Sequence, residues 1–466
     1  MSIFSILIRV ICIGWLILLG CSAGSKHNIS ISPEKINDGL KVASPLKFNT
    51  NISLLNSMIQ GIESGDYVNI HSILIIKDGL LVVEVYFEGY ERSTSHEIRS
   101  ATKSIGSILT GIALDKRFVP SDDATVYDYF KDDYSPSYGW NTRTKQVNIG
   151  HLLSMTSGYD CDDLVTNFAC EDAMYDTDDW VQYALDLPFA HKPGQHWAYN
   201  SSSLILMGEM IARDSNMKID AFAEQYLFKP LGIKNFQWLR SPKDRAWIGG
   251  GARMIPREMA KIGLLMQRQG LWNGKRLLSE KWIEKSTHKH IERLGGVDYA
   301  YLWQTGSTLI EDKLIKAYWA SGNGGQYIII LPDLDMVVVF TGGNYNSALA
   351  DQPFRMLTRY ILPAFHPPEH IEPVNLNQDY LESLSGIFSL DFEPSVTSTI
   401  DVYQNNLRIL SPDNEYIQLV PVSKTIFKGE SPLYGPLSVE FIKNIQGEII
   451  KLTIYGSFSK YTFEKK

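Results

Sequence analysis

The sequence predicts an α/β (α+β) chain, with hairpin-linked strands interleaved with helices and a small all-β domain at the end. Three observations carry this. Asp78-Gly79 stands between the apolar runs 73–76 and 80–87, and Asp-Gly in that setting is a strong hairpin signal. After Ser100, apolar residues fall at helical spacing at Ile105, Ile108, Leu109 and Ile112. Pro363, Pro367, Pro368 and Pro373 then interrupt regular structure, and short β-type runs follow, separated by Gly, Pro, Asn and Asp.

Taken in order, residues 1–20 read as an export signal. Val10 to Gly20 is VICIGWLILLG behind Arg9, which suits a signal-peptide core better than a membrane span. It runs into Leu18-Leu19-Gly20-Cys21, with small residues flanking the cysteine. Residues 21–49 are polar and are expected to be a tether. A domain over 50–365 follows. It opens with a helix face of Leu54, Leu55, Met58, Ile59 and Ile62, then the hairpin. Helical patterns recur at 203–213, 256–269 and 279–286, and strands at 327–331 and 336–340. Residues 375–466 read as a β-barrel or sandwich, with strands such as 398–403 and 449–455.

Composition excludes the extremes. Of 466 residues, 44% are hydrophobic and 21% charged, which rules out disordered, collagen-like and polytopic membrane chains. Lys+Arg number 44 against 52 Asp+Glu, a net −8, and no long basic run appears, so no nucleic-acid partner is expected. Of the four cysteines, Cys12 would leave with the signal. Cys161 and Cys170 either close a short disulfide loop or remain two thiols, and sequence leaves both open.

Three segments carry chemistry. Ser100-Ala101-Thr102-Lys103 at a helix start puts a hydroxyl and an amine one turn apart on one face. A serine needs a base to become nucleophilic, and a lysine serves when burial favours its neutral form. The helix N-terminus favours a developing oxyanion. The spacing alone is weak, since it recurs at Ser32/Lys35, Ser44/Lys47, Ser215/Lys218, Ser286/Lys289 and Ser457/Lys460. Ser100 is set apart by the hairpin before it and the apolar, amphipathic helix after it. Tyr199, in Pro193-Gly194-Gln195-His196-Trp197-Ala198-Tyr199-Asn200-Ser201, is a candidate second base or proton relay. Ala320-Ser321-Gly322-Asn323-Gly324-Gly325 precedes a strand, and its glycines let backbone N–H groups approach a substrate.

Together these segments resemble the serine β-lactamase and penicillin-binding-protein superfamily, nearest the class C β-lactamase-related family VIII esterases and D-aminopeptidases. The resemblance runs from His71 to Pro363. It includes Asn148-Ile149-Gly150-His151-Leu152-Leu153-Ser154-Met155-Thr156-Ser157-Gly158, the Gly249-Gly250-Gly251 stretch, Pro256-Arg257-Glu258-Met259-Ala260 and Trp272-Asn273-Gly274-Lys275. It implies a β-lactamase/transpeptidase-like fold, with a five-stranded, mainly antiparallel sheet flanked by helices. It implies Ser100 as acyl-accepting nucleophile, Lys103 and Tyr199 sharing general-base work, and oxyanion or substrate binding by Ser100, Gly322 and Asn323. The Cys21 segment resembles a bacterial lipobox, which implies lipidation at Cys21 and a periplasm-facing cell-envelope lipoprotein, at the outer membrane by its Ser22.

Two departures limit this. The family's Tyr-x-Asn is Tyr199-Asn200-Ser201 here, and the cation that opens its third motif is Ala320. The second removes a group that binds substrate carboxylate in β-lactamases and D,D-peptidases. The expected activity is therefore hydrolysis of an ester or amide. D,D-peptidase or β-lactamase turnover, or a non-catalytic envelope-binding protein, are the alternatives. The expected partners are a small ester, amide or peptide and the membrane. No cofactor and no metal site is expected. His366 and His370 are split by prolines, and His288 and His290 read as a solvated helix end. Asp160, Asp162 and Asp163 read as a solvated loop rather than a cation site. Trp197, Tyr301 and Trp303 are candidate cleft aromatics more readily explained by packing.

Overall fold

A computed structural model describes residues 30–165, 170–293, 296–310, 312–367, 374–410, 415–431 and 435–466. The expectations for the signal, Cys12 and Cys21 lie outside these. Helix α1 (Ile52–Ser64) buries Leu55, Met58, Ile59 and Ile62. Strands β1 (Ile70–Lys77) and β2 (Leu80–Tyr86) form the hairpin around Asp78-Gly79. A short strand β3 (His96–Glu97) leads to helix α2 (Ala101–Asp115), and β3 pairs with β4 (Arg253–Met254). A small hairpin joins β5 (Leu271–Trp272) and β6 (Lys275–Arg276). The strands β7 (Asp298–Tyr299), β8 (Gln304–Ile310), β9 (Lys313–Gly322), β10 (Gln326–Leu331) and β11 (Met336–Gly342) complete the main sheet.

That sheet has seven strands, ordered β2-β1-β11-β10-β9-β8-β7, and every pairing is antiparallel. It is larger than the five strands the resemblance implies, because β8 and the short β7 extend one side beyond β9. Alternation along the strands buries both faces. Leu74, Ile76, Ile328, Ile330, Val337 and Val339 join one core with α2 and the helix Pro256–Gln267. On the opposite face Trp319 and Tyr327 pack edge-on against Phe354, from the helical segment 352–365.

Helix α2 differs from the amphipathic expectation. Every residue from Ala101 to Ala113 is buried, because the helix runs between the sheet and a layer of helices rather than along a surface. Two of its hydroxyls find partners inside, Ser104 Oγ donating to Leu302 O at 2.6 Å and Thr110 Oγ1 to Gly106 O at 2.9 Å, while Ser107 Oγ has no hydrogen-bond partner among the described residues. The helix Pro256–Gln267 likewise carries a buried ion pair. Arg257 donates to both oxygens of Glu84, and to Asp38.

Residues 31–49, expected as a tether, are packed instead. Val42 bridges to Leu81, Glu84 N donates to Ile31 O, and Ile31 and Leu40 are buried. The edge of β2 offers unpaired N–H and C=O groups, and this polar segment satisfies them.

The C-terminal part is a closed eight-stranded antiparallel barrel. Its strands are β12 (Gly386–Leu390), β13 (Thr397–Tyr403), β14 (Asn406–Leu410), β15 (Tyr416–Pro421), β16 (Ile426–Ser431), β17 (Gly435–Lys443), β18 (Ile449–Tyr455) and β19 (Lys460–Lys465). Phe388, Leu407, Leu419, Phe427, Val439, Phe441 and Leu452 fill it, with Leu381 and Leu384 from the helix Gln378–Leu384. The barrel docks on β8: Ser438 Oγ donates to Leu309 O at 2.8 Å and Thr308 Oγ1 to Gly456 O at 2.9 Å. Among the described residues no helix is long and apolar enough to cross a membrane.

Candidate active site

Ser100 caps the N-terminus of α2 and is half-buried. The turn into it is tight: Arg99 has φ 50°, a left-handed conformation that L side chains rarely adopt. The surrounding chain holds that turn. Thr102 Oγ1 donates to Arg99 O at 2.6 Å and accepts from Ala252 N at 3.2 Å, and Ile98 N donates to Ala252 O at 2.9 Å. Beneath it His71 of β1 and His96 of β3 share a 2.8 Å hydrogen bond, tying the sheet to the segment that delivers the serine.

Lys103 lies one turn along α2 and is 2% exposed. Its Nζ donates to Ser100 Oγ at 3.0 Å and to Gly249 O. It also stands 4.8 Å from the centroid of the Tyr199 ring. Gly249 is required for this: a Cβ there would lie 2.4 Å from the Trp247 ring over which the chain folds. The amine is thus aimed at the serine hydroxyl by a helix turn, a carbonyl and an aromatic face.

Tyr199 meets this pair through its ring. Among the described residues no hydrogen bond joins its hydroxyl to Ser100 or Lys103. Its ring packs against Trp197 and Tyr299, with centroids 6.0 and 6.4 Å away. Asp163 positions the segment: its N–H donates to Tyr199 O at 2.8 Å, and its Oδ2 accepts from Ser201 N at 2.8 Å. Asp163 sits inside the loop closed by a Cys161–Cys170 disulfide, whose Cα atoms are 5.9 Å apart. Cys161, Asp163 and Cys170 crowd together, but bonded sulfurs have no thiolate to offer a metal. Asn200 is buried, and its Oδ1 accepts from Ser203 N at 2.9 Å. Ser201 Oγ is buried without a hydrogen-bond partner.

Strand β9 supplies the opposite wall. β8 pairs with it only as far as Trp319, so Ala320, Ser321 and Gly322 project beyond their neighbour. Gly322 lies against the Ile98 carbonyl, two residues before Ser100. The N–H groups of Ser100 and Asn323 make no hydrogen bond among the described residues, which leaves two donors for an oxyanion. The Asn323 side chain is engaged elsewhere, donating to Asn346 Oδ1 at 2.7 Å and accepting from Asn346 N at 2.8 Å.

A family model described as beta-lactamase matches residues 71–357, well over half of the chain. The chain belongs to the beta-lactamase family. It is accordingly a serine hydrolase by family, with the β-lactamase/transpeptidase-like fold. A curated relative of this beta-lactamase-family protein, "Putative D-alanyl-D-alanine carboxypeptidase" of Escherichia coli K12, is 24% identical over 217 residues. That match spans 42% of this chain and about half of the relative, at 49%. Among solved structures, an octameric penicillin-binding protein homologue from Pyrococcus abyssi shares 19% identity. It covers 88% of this chain and 99% of its own, with TM-score 0.51. A penicillin-binding protein homologue from Caulobacter crescentus shares 15% identity over 68% of this chain and 97% of its own, with TM-score 0.52. These similarities show the fold.

Of the aromatics singled out in the sequence, Trp197 borders Tyr199, whereas Trp303 is fully buried and Tyr301 donates to Asp122 at 3.1 Å. Sequence reasoning missed the roles of Gly249 and Asp163, and missed Arg293, which stacks on Trp197. No local spacing marks them, because each lies on a segment distant from Ser100 in sequence.

Proposed function

We propose that this protein hydrolyses a small ester or amide through an acyl-enzyme on Ser100. The single observation that carries the reading is the 3.0 Å contact between Lys103 Nζ and Ser100 Oγ. Lys103 takes the hydroxyl proton as Oγ attacks the substrate carbonyl. The Ser100 and Asn323 N–H groups stabilise the oxyanion. The C–O or C–N bond breaks, and the leaving group receives the proton, with Tyr199 beside Lys103 as the relay. Water then adds to the acyl carbonyl, giving its proton to the same base. The free acid leaves and Ser100 is restored. Small esters head the substrate order, then D-amino-acid amides or peptides, then β-lactams, since Ala320 brings no charge to the cleft. Lipidation at Cys21 would hold the enzyme at the cell envelope and expose it to substrates there.

The test is covalent labelling. A fluorophosphonate probe and a fluorescent penicillin are incubated with the protein and adducts mapped by mass spectrometry. Labelling of Ser100 by the fluorophosphonate is expected. A stable penicillin adduct would turn the reading toward a D,D-peptidase. Absence of both adducts, or a Ser100→Ala variant that hydrolyses p-nitrophenyl acetate as fast as wild type, refutes the mechanism.

A further inference from the structure

This inference rests on the hydrolase reading and deepens it. Arg293 stands between the helix Glu280–Thr287 and β7. Its guanidinium lies 4.2 Å from the centroid of the Trp197 ring, and Trp197 packs on Tyr299 at 5.6 Å and on Tyr199 at 6.0 Å. A continuous aromatic wall therefore runs from Lys103, over Tyr199, to Arg293.

Arg293 is half-buried. Among the described residues no hydrogen bond or ion pair holds its guanidinium. Asp162 is the nearby acid whose charge it feels, but the two form no ion pair, and Asp162 Oδ1 accepts from Leu164 N instead. Burial pushes the Arg293 guanidinium below its ordinary value. Cations elsewhere around the serine are engaged. Arg99 and Arg253 pair with Glu97, and Lys103 donates to Ser100 and Gly249. A guanidinium held over an indole without hydrogen bonds of its own has N–H groups to offer, and that fork matches a carboxylate. Partial desolvation without a partner is costly unless a ligand supplies the missing charge.

We propose that Arg293 binds a carboxylate on the substrate, so that the ester or amide cleaved at Ser100 is an anionic one read from the Tyr199 side of the cleft. The cleft's specificity then lies on the Trp197–Arg293 wall rather than on β9, where Ala320 is uncharged.

The test is a ligand-observed NMR titration of the Ser100→Ala protein, which holds esters without turnover. The probes are phenyl acetate, 3-carboxyphenyl acetate (anionic leaving group) and monophenyl glutarate (anionic acyl group). At least one carboxylated ester should bind about tenfold or more tightly than phenyl acetate, as a charge-assisted hydrogen bond implies. Adding Arg293→Met, whose apolar stem still covers Trp197, should abolish that preference. Arg293→Lys should keep part of it, which separates loss of charge from damage to the fold. Equal binding of all three esters, or a preference that survives Arg293→Met, overturns the proposal. Turnover of phenyl acetate with Ser100 intact tests the hydrolase reading separately. No turnover alongside a carboxylate preference would sink that reading and leave the Arg293 site standing.

Discussion

A Cβ on Gly322 would stand 2.2 Å from the Ile98 carbonyl oxygen. Strand β9 and the segment that delivers Ser100 therefore meet backbone to backbone. Any side chain at residue 322 forces them apart and separates the two candidate oxyanion donors. Gly322→Ala should lower kcat/KM for p-nitrophenyl acetate about a hundredfold, the usual cost of losing one such donor. Unchanged turnover would show that β9 takes no part in stabilising the oxyanion.

The aim of Lys103 has a second dependence. Gly249 presents its carbonyl to Nζ only because it has no Cβ to strike Trp247. Lys103→Met should lower turnover by about 10²–10⁴-fold, the range for losing a general base. Gly249→Ala should lower it as well, although residue 249 is far from Lys103 in sequence. Initial rates with matched thermal melts distinguish a misplaced amine from an unfolded protein.

The Cys161–Cys170 loop ties stability to the placement of Tyr199. Asp163 lies within it and holds Tyr199 and Ser201 by their backbones. Replacing both cysteines by serine should destabilise the protein by about 2–3 kcal/mol, as expected for a short closed loop. Asp163→Ala should reduce kcat more than it reduces the melting temperature. A melting loss with normal kcat would mean that Tyr199 is positioned by other contacts.

Acid should weaken the fold through His71 and His96. Burial, and then the neighbouring His96, pushes His71 down to about 4, and burial also lowers His96. An unfolded histidine titrates near 6.5. Between about pH 6.5 and 4 the unfolded chain therefore binds more protons than the folded one. Stability is full above that window and falls as pH drops through it, by about 1.4 kcal/mol per pH unit for each proton. Thermal melts from pH 8 to 4 should show this slope. His71→Phe, which keeps a ring against Tyr90, should flatten it, and an equal slope in the variant would assign the acid sensitivity elsewhere.

Much of the fold was legible because its strongest segments obey local rules. The β1–β2 hairpin announces itself by Asp78-Gly79, and α1 by the spacing of Leu55, Met58, Ile59 and Ile62. The β8–β9 hairpin was not legible. Its first strand, Gln304–Ile310, is mostly polar and half-exposed, and what covers Thr308 and Leu309 is the barrel, more than a hundred residues away. The packing of residues 31–49 was hidden for a similar reason, since their partners are the open edge of β2 and the buried Arg257.

The sequence by itself determined the Ser100–Lys103 pairing, because three residues along a helix place two side chains on one face. It determined the two kinds of architecture, mixed and all-β, through the periodicity of their apolar residues. Only the tertiary structure decided that the all-β part closes, by pairing Phe388 of β12 with Lys465 of β19. Only it decided that Gly249, Tyr199 and Gly322 converge around one serine, with Arg293 beyond Tyr199 on the face of Trp197. Local spacing encodes what lies within a turn or a strand; convergence of distant segments depends on sheet register and helix packing, which no short stretch of sequence contains.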